Sequence, residues 1–218
     1  MEGYYKTIEI DNFEGEIKLK ERSFRNLHRY EILIKVICTT INPVDLMFMK
    51  GDYGDTKPTI FPVIPGIEGS GEIIKVGDDI DKNYVGKRVG IFVDYSHPGT
   101  CEGLWAQYIY TSLSNVMIFD KQLPFEKICF IMNPLTAIGM VDNCLKKKVF
   151  GVLLTGASST VGRMFIRLCE RYEIQLVNLV KYDQSELKLK QMSAQNIIKF
   201  SDENWEKQCI KMCTLAKV

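Results

Sequence analysis

The sequence predicts an α/β protein in which a β-rich, barrel-like first part is followed by the first half of a parallel, doubly wound sheet. Three observations predict it. Residues 1–124 carry short apolar, β-branched runs separated by glycines, the pattern of a small barrel. From Phe125 to Leu145 the apolar residues fall at helical spacing, which sets a boundary near 122–126 and gives two domains, 1–124 and 125–218. Residues 149–180 then read strand, glycine-containing turn, helix, strand, a single βαβ unit.

In chain order, Tyr5–Ile10 and Ile17–Leu19 predict a hairpin around Asn12 to Gly15, and Tyr30–Cys38 predicts a strong strand. A loop-rich passage runs from Asn42 to Gly66. Glu72–Val76, Lys87–Val93 and Trp105–Tyr110 predict short strands. Val152, Leu153 and Leu154 form an apolar run of the kind a strand buried on both faces shows. After the turn, Val161, Met164, Phe165, Leu168, Cys169 and Tyr172 lie on one helical stripe. Ile174–Val180 is the second strand, followed by a helix over Gln184–Met192, an extended piece at Ile197–Phe200 and a helix from Asn204 to about Leu215.

The turn carries the chemistry. Strand, turn and helix in that order leave unpaired backbone N–H groups, and the positive end of the helix dipole, at Ser158, Ser159, Thr160, Val161 and Gly162, where a phosphate can sit. Gly156 and Gly162 remain of the dinucleotide fingerprint, while Ala157 and Ser159 stand where it has further glycines, so the match is a loosened G-x-x-S-x-x-G. A plain βα turn with no nucleotide is the alternative. A dinucleotide site also needs a polar discriminator at the end of the second strand, and that position is Lys181. A cation there favours NADPH over NADH; the alternative is a solvated charge at a strand end.

Composition excludes several classes. Lys and Arg number 28 against 27 Asp and Glu, so a net charge of +1 offers no general attraction to nucleic acid or anionic lipid. No apolar run approaches membrane-span length, and the first residues carry no signal or transit pattern. That favours the cytoplasm, with mitochondrial import without a cleaved presequence as the alternative. Seven cysteines without C-x-x-C spacing read as reduced core thiols, and the two histidines, His28 and His97, lie near no cysteine pair, so no zinc site is expected.

Eight stretches occur in a familiar order: Asn42-Pro-Val-Asp45, Lys50-Gly-Asp-Tyr-Gly54, Pro65-Gly-Ile-Glu-Gly-Ser-Gly71, Val76-Gly77, Val85-Gly-Lys-Arg-Val89, Gly103-Leu-Trp-Ala-Gln-Tyr108, Asn133-Pro-Leu-Thr-Ala137 and Thr155-Gly-Ala-Ser-Ser-Thr-Val-Gly162. Together they resemble medium-chain dehydrogenase/reductases, in the zinc-free branch of quinone oxidoreductases and mitochondrial 2-enoyl thioester reductases. The resemblance implies a GroES-like substrate domain followed by a Rossmann domain, with NADPH between them. Zinc-dependent relatives have a Cys just before the first motif's Asp and a His before the third motif's Glu; here Val44 or its neighbours, and Ile67, stand there.

By the same resemblance, Tyr53 positions a thioester carbonyl and helps protonate the neighbouring carbon, work that suits a phenol O–H; on residue type alone it is a loop tyrosine packed on a proline. Asn133 and Thr136 would meet the cofactor at a helix start, a role compatible with helix capping. Trp105 is expected to be a core residue of the barrel, and Asn42 and Asp45 to order their loop.

The family's sheet has two βαβαβ halves, and this sequence supplies one. An open parallel edge is poorly tolerated, so a protein partner, within a larger multi-subunit assembly, is expected to cover it. Two functions follow from the sequence. One is an accessory subunit with lost or reduced catalysis, favoured by the loosened turn and the half sheet and taken as the preferred expectation. The other is an active NADPH-dependent reductase, favoured by Tyr53 and Lys181, whose second half is supplied elsewhere.

Overall fold

The computed structural model describes residues 2–95, 102–149 and 151–216, with side chains to residue 214, so His97 and Cys101 lie outside the described residues. The chain divides into two units, Met1–Ile131 and Met132–Val218.

In the first unit, β1 (Tyr4–Glu9) and β2 (Lys18–Ser23) form an antiparallel pair with Tyr4 opposite Ser23 and Glu9 opposite Lys18. The second strand is therefore longer and more polar than expected. Its residues KLKERS follow no apolar alternation, and it is the ladder to β1 that holds them extended. Five further strands, β3 (Ile32–Thr39), β4 (Glu68–Val76), β5 (Arg88–Phe92), β6 (Tyr108–Thr111) and β7 (Val116–Phe119), make an antiparallel sheet in the order β6-β3-β4-β5-β7.

Alternation along these strands builds two cores. Ile32, Ile34, Ile73, Val89, Ile91 and Ile109 are at most 2% exposed and share one cluster. Leu33 and Tyr110 turn to the other face, where they meet Tyr5. Each such side chain contributes about 1.5–3 kcal/mol by leaving water. Backbone bonds from Ile8 N to the Trp105 carbonyl (2.8 Å) and from Ile10 N to the Val63 carbonyl (3.1 Å) tie β1 to the same core.

The passage expected to be loop contains α1 (Pro43–Lys50). Its signals are local and were dispersed among loop residues. Pro43 occupies the first helical position, the Asp45 carboxylate accepts the Asn42 N–H at 2.6 Å, and Gly51 ends the helix at φ 77°. Phe48 and Met49 bury its inner side.

One carboxylate connects these pieces. Glu68 is 0% exposed; its Oε1 accepts from Asn42 Nδ2 (2.9 Å) and the Thr40 hydroxyl (3.3 Å), and its Oε2 accepts from Ile131 N (2.9 Å). Asp45, 2% exposed, adds a bond from Ile67 N at 3.0 Å. Burial pushes the Asp45 carboxyl above its ordinary range, the Asn42 and Ile67 amides pull it back, and the Glu68 charge adds to the rise.

This wiring also moves the unit boundary. The apolar stretch from Phe125 is not one helix but α2 (Phe125–Ile128) and α3 (Met132–Lys146). The Phe125 carbonyl accepts from the Ser70 hydroxyl (2.8 Å), and Ile131 N donates to Glu68, so α2 belongs to the first unit and the division falls after Ile131 rather than at 124.

In the second unit, β8 (Gly151–Leu154), β9 (Gln175–Val180) and β10 (Ile197–Lys199) are parallel in the order β10-β9-β8. The helices are α4 (Thr160–Arg171), α5 (Asp183–Gln191) and α6 (Trp205–Ala216). Phe165, Cys169 and Leu189, each at most 1% exposed, lie in the cluster between α4, α5 and the sheet, and Val177, Leu179 and Ile198 face α6. Among the described residues β8 pairs only with β9, and Leu153 on it is 39% exposed. The open strand edge expected from the sequence is thus the outer edge of β8.

Two outcomes follow from the buried carboxylates. Glu68→Leu strands the Asn42 and Ile131 N–H groups without an acceptor, and urea unfolding is expected to show a loss of about 3 kcal/mol or more. Glu9, 2% exposed, is pushed up by burial, but the Arg22 guanidinium at 2.7 Å and the Thr7 hydroxyl at 2.8 Å outweigh that and hold its carboxyl below the usual range. Its folded pKa lies below the unfolded value of about 4.3, so its contribution is present above that pH and is lost as pH falls through it. Glu9→Gln is expected to flatten the loss of stability below about pH 4, measured as melting temperature against pH.

Candidate nucleotide-binding site

β8 is followed by a tight turn, Thr155–Ser159, into α4. Gly156 sits at φ 62°, a left-handed conformation that costs an L side chain roughly 1–2 kcal/mol, and the space where its Cβ would be is open. Ser159 N bonds back to the Gly156 carbonyl at 2.9 Å, which closes the turn. The Ser159 hydroxyl then accepts from Gly162 N at 3.0 Å as the N-cap of α4. Gly162 itself is required by contact rather than by torsion. A Cβ there would lie 2.5 Å from the Ala157 carbonyl oxygen and 2.6 Å from that of Gly156, so only glycine lets the helix start this close to the turn.

The result is a helix start with open space beside it. Gly162 N is capped, and the N–H groups of Thr160 and Val161 precede the first intrahelical bond, so they keep their donors for a ligand. Ala157 is fully buried, its side chain packed inward beneath the turn, so a methyl at this fingerprint position leaves the outer side of the turn clear.

Lys181 follows the last residue of β9. Because β8 and β9 are parallel, with Leu154 paired to Asn178, Lys181 and the Thr155 turn lie at the same, carboxyl-terminal end of the sheet. Its ammonium packs 5.3 Å from the centre of the Tyr182 ring and makes no ion pair among the described residues. The neighbouring acid is committed elsewhere. Asp183 accepts from Lys199 Nζ at 2.8 Å, and that bond holds its carboxyl below the ordinary value. The discriminator position therefore presents an uncommitted cation, and the nearby carboxylate already has a partner.

The remaining predicted residues are dispersed. Asn133 lies in the first turn of α3 and Thr136 one turn on, where its hydroxyl bonds the Met132 carbonyl at 2.8 Å; neither is an N-cap, because α3 starts at Met132. Tyr53, 41% exposed, belongs to the first unit, just beyond the Gly51 cap of α1. Trp105 is half-buried against the barrel core with its indole N–H on the Thr40 carbonyl at 3.2 Å. Glu68 and Thr40 were not singled out from sequence as partners of Asn42, though a glutamate inside a glycine-rich strand start was a usable signal. Among the described residues no three His, Cys, Asp or Glu side chains converge as a metal site, and no helix is long and apolar enough to cross a membrane.

Comparison with known proteins gives this geometry its family. Residues 28–121 match the alcohol dehydrogenase GroES-like domain. The mitochondrial enoyl-[acyl-carrier-protein] reductase of Arabidopsis thaliana is 30% identical over 80% of this chain and 46% of its own length. The human synaptic vesicle membrane protein VAT-1 homolog-like is 30% identical over 75% of this chain and 38% of its own. Among solved structures, a putative NADPH:quinone reductase from Mesorhizobium loti superposes with a TM-score of 0.87 at 24% identity, over 99% of this chain and 66% of that one. The chain thus spans less than half the length of these two sequence relatives. With the barrel, the parallel unit and these relatives in agreement, the chain belongs to the medium-chain dehydrogenase/reductase superfamily, in its quinone oxidoreductase and enoyl reductase branch.

Proposed function

We propose that the chain provides the substrate domain and the phosphate-binding half of an NADPH-dependent, zinc-independent reductase of quinones or 2-enoyl thioesters. A single observation carries the reading: a left-handed glycine, a capped helix start with open space beside it, and an uncommitted lysine lie at one end of the same two strands. The residues present fit NADPH. Thr160 and Val161 offer backbone donors to its pyrophosphate, and Lys181 offers charge to its 2′-phosphate. Bound NADPH supplies the hydride. Tyr53 donates its phenol proton toward the substrate carbonyl, stabilising charge as it develops there. Asn133 and Thr136 line the cofactor's approach from α3. A reducing compartment, the cytoplasm or the mitochondrial interior, suits the six free cysteines among the described residues.

The outer edge of β8 needs a polypeptide beside it, and a protein partner or a further segment completes the sheet. That open edge, with Leu153 exposed on it, favours a second reading: an accessory subunit of a larger assembly whose catalysis is reduced or lost. NADPH titration of the chain, followed by nicotinamide fluorescence, separates the two. Saturable binding supports the reductase, and a flat titration supports the accessory subunit.

Lys181→Ala is expected to weaken NADPH binding about fivefold to tenfold, to leave NADH binding unchanged and to reduce the salt dependence of the NADPH titration. Tyr53→Phe is expected to lower kcat about 100-fold in the assembly that turns over, with NADPH affinity unchanged.

A further inference from the structure

On the face of the sheet opposite α4 and α5, α6 packs against Val177, Leu179 and Ile198 through Trp205, Cys209, Met212 and Cys213. Met212 and Cys213 follow Cys209 by three and four residues, so the three sulfur-bearing side chains share one side of the helix. Each is half-buried. Aliphatic side chains of the strands thus stand behind the sulfurs, and each residue keeps some surface that solvent reaches. The cluster lies across the sheet from the helix that begins at the glycine turn, and nothing about it depends on the NADPH reading.

The two thiols converge, with Cys209 Sγ and Cys213 Sγ 3.9 Å apart. Two uses compete for such a pair. A disulfide needs Cβ atoms about 3.5–4.5 Å apart, whereas positions four apart on a helix hold them about 5–6 Å apart, so oxidation to a disulfide would unwind α6. Burial and the neighbouring Cys213 thiol also push the Cys209 thiol above its ordinary value, which lowers the thiolate fraction that an oxidant needs. A cation shared between the sulfurs meets no geometric obstacle. With metal–sulfur bonds of about 2.3 Å, a separation of 3.9 Å subtends an angle of about 115° at the metal, between the tetrahedral and trigonal values.

The donor set selects the cation. Among the described residues no His, Asp, Glu or further Cys joins the pair, so a closed tetrahedral zinc site is short of ligands. The remaining donor on this side of the helix is the Met212 thioether. Thiolate and thioether ligands without imidazole or carboxylate select Cu(I). We propose that Cys209, Met212 and Cys213 bind one Cu(I) ion, held by the two thiolates with the Met212 thioether as third donor. Each thiol releases its proton to solvent as the ion binds, and no electron is transferred.

The test is anaerobic titration of the reduced full chain into the coloured Cu(I) complex of bicinchoninate, read as loss of colour, with Zn(II) titrated separately against a zinc-responsive dye. The expected result is that each chain withdraws one equivalent of Cu(I) and leaves Zn(II) with its dye. Cys209→Ala and Cys213→Ala are each expected to weaken Cu(I) binding about 100-fold or more, and Met212→Leu about tenfold. Cys38→Ala, in the first unit, is expected to change nothing. Met212→Leu keeps the volume of the side chain, so it remains decisive should either alanine variant fail to fold. A chain that leaves all the copper with bicinchoninate holds no site and would overturn the proposal. Undiminished binding in Cys213→Ala or Met212→Leu, binding lost in Cys38→Ala, or Zn(II) withdrawn as readily as Cu(I) would overturn it as well.

Discussion

The first unit depends on one buried carboxylate. Glu68 stands at the start of β4 with no exposed surface, and its two oxygens collect donors from three places in the chain: Thr40 after β3, Asn42 at the cap of α1, and Ile131 at the end of the unit. A buried charge is tolerated only where its hydrogen bonds are made, so each of these segments is held by the need to satisfy it. Asp45 extends the same arrangement to Ile67, the residue before Glu68. Through that wiring α1 is pinned to the barrel, and the short segment carrying Tyr53 leaves α1 from a fixed point.

In the second unit the governing constraint is close approach. α4 begins so near the turn that a single methyl at residue 162 would strike two carbonyl oxygens, and the turn itself needs the left-handed backbone of Gly156. These two glycines have different jobs, contact and torsion, which is why their neighbours are free to be Ala157 and Ser159. Ala157 packs inward, and Ser159 becomes the cap of the helix. A fingerprint weakened in letters thus still closes a tight turn onto the start of a helix. Two residues beyond Lys181, Asp183 is held by Lys199, whereas Lys181 itself packs on the Tyr182 ring and makes no ion pair among the described residues.

Much of this was legible beforehand because it is written in local pattern. The βαβ order, the stripe from Val161 to Tyr172 and the strand from Ile32 all follow from periodicity and turn chemistry that neighbouring residues carry together. The misreadings share a cause. α1 was hidden because its eight residues sit among loop signals and its stability comes from Glu68 and the barrel. β2 is polar and is a strand only because β1 pairs with it. The break at Ile131 comes from a bond to a residue sixty-three positions away.

By itself, then, the sequence determined the class of fold, the strand, turn and helix that form the candidate site, and the residues on it, because each rests on periodicity, glycine torsion or capping within a few residues. Tertiary structure alone decided that Lys181 is uncommitted while Asp183 is held, that Thr136 bonds its own helix, and that the buried Asn178 amide donates to the Gln195 carbonyl. Those are statements about which polar groups find partners. Partners in a folded chain are chosen by proximity in space, which no local pattern encodes.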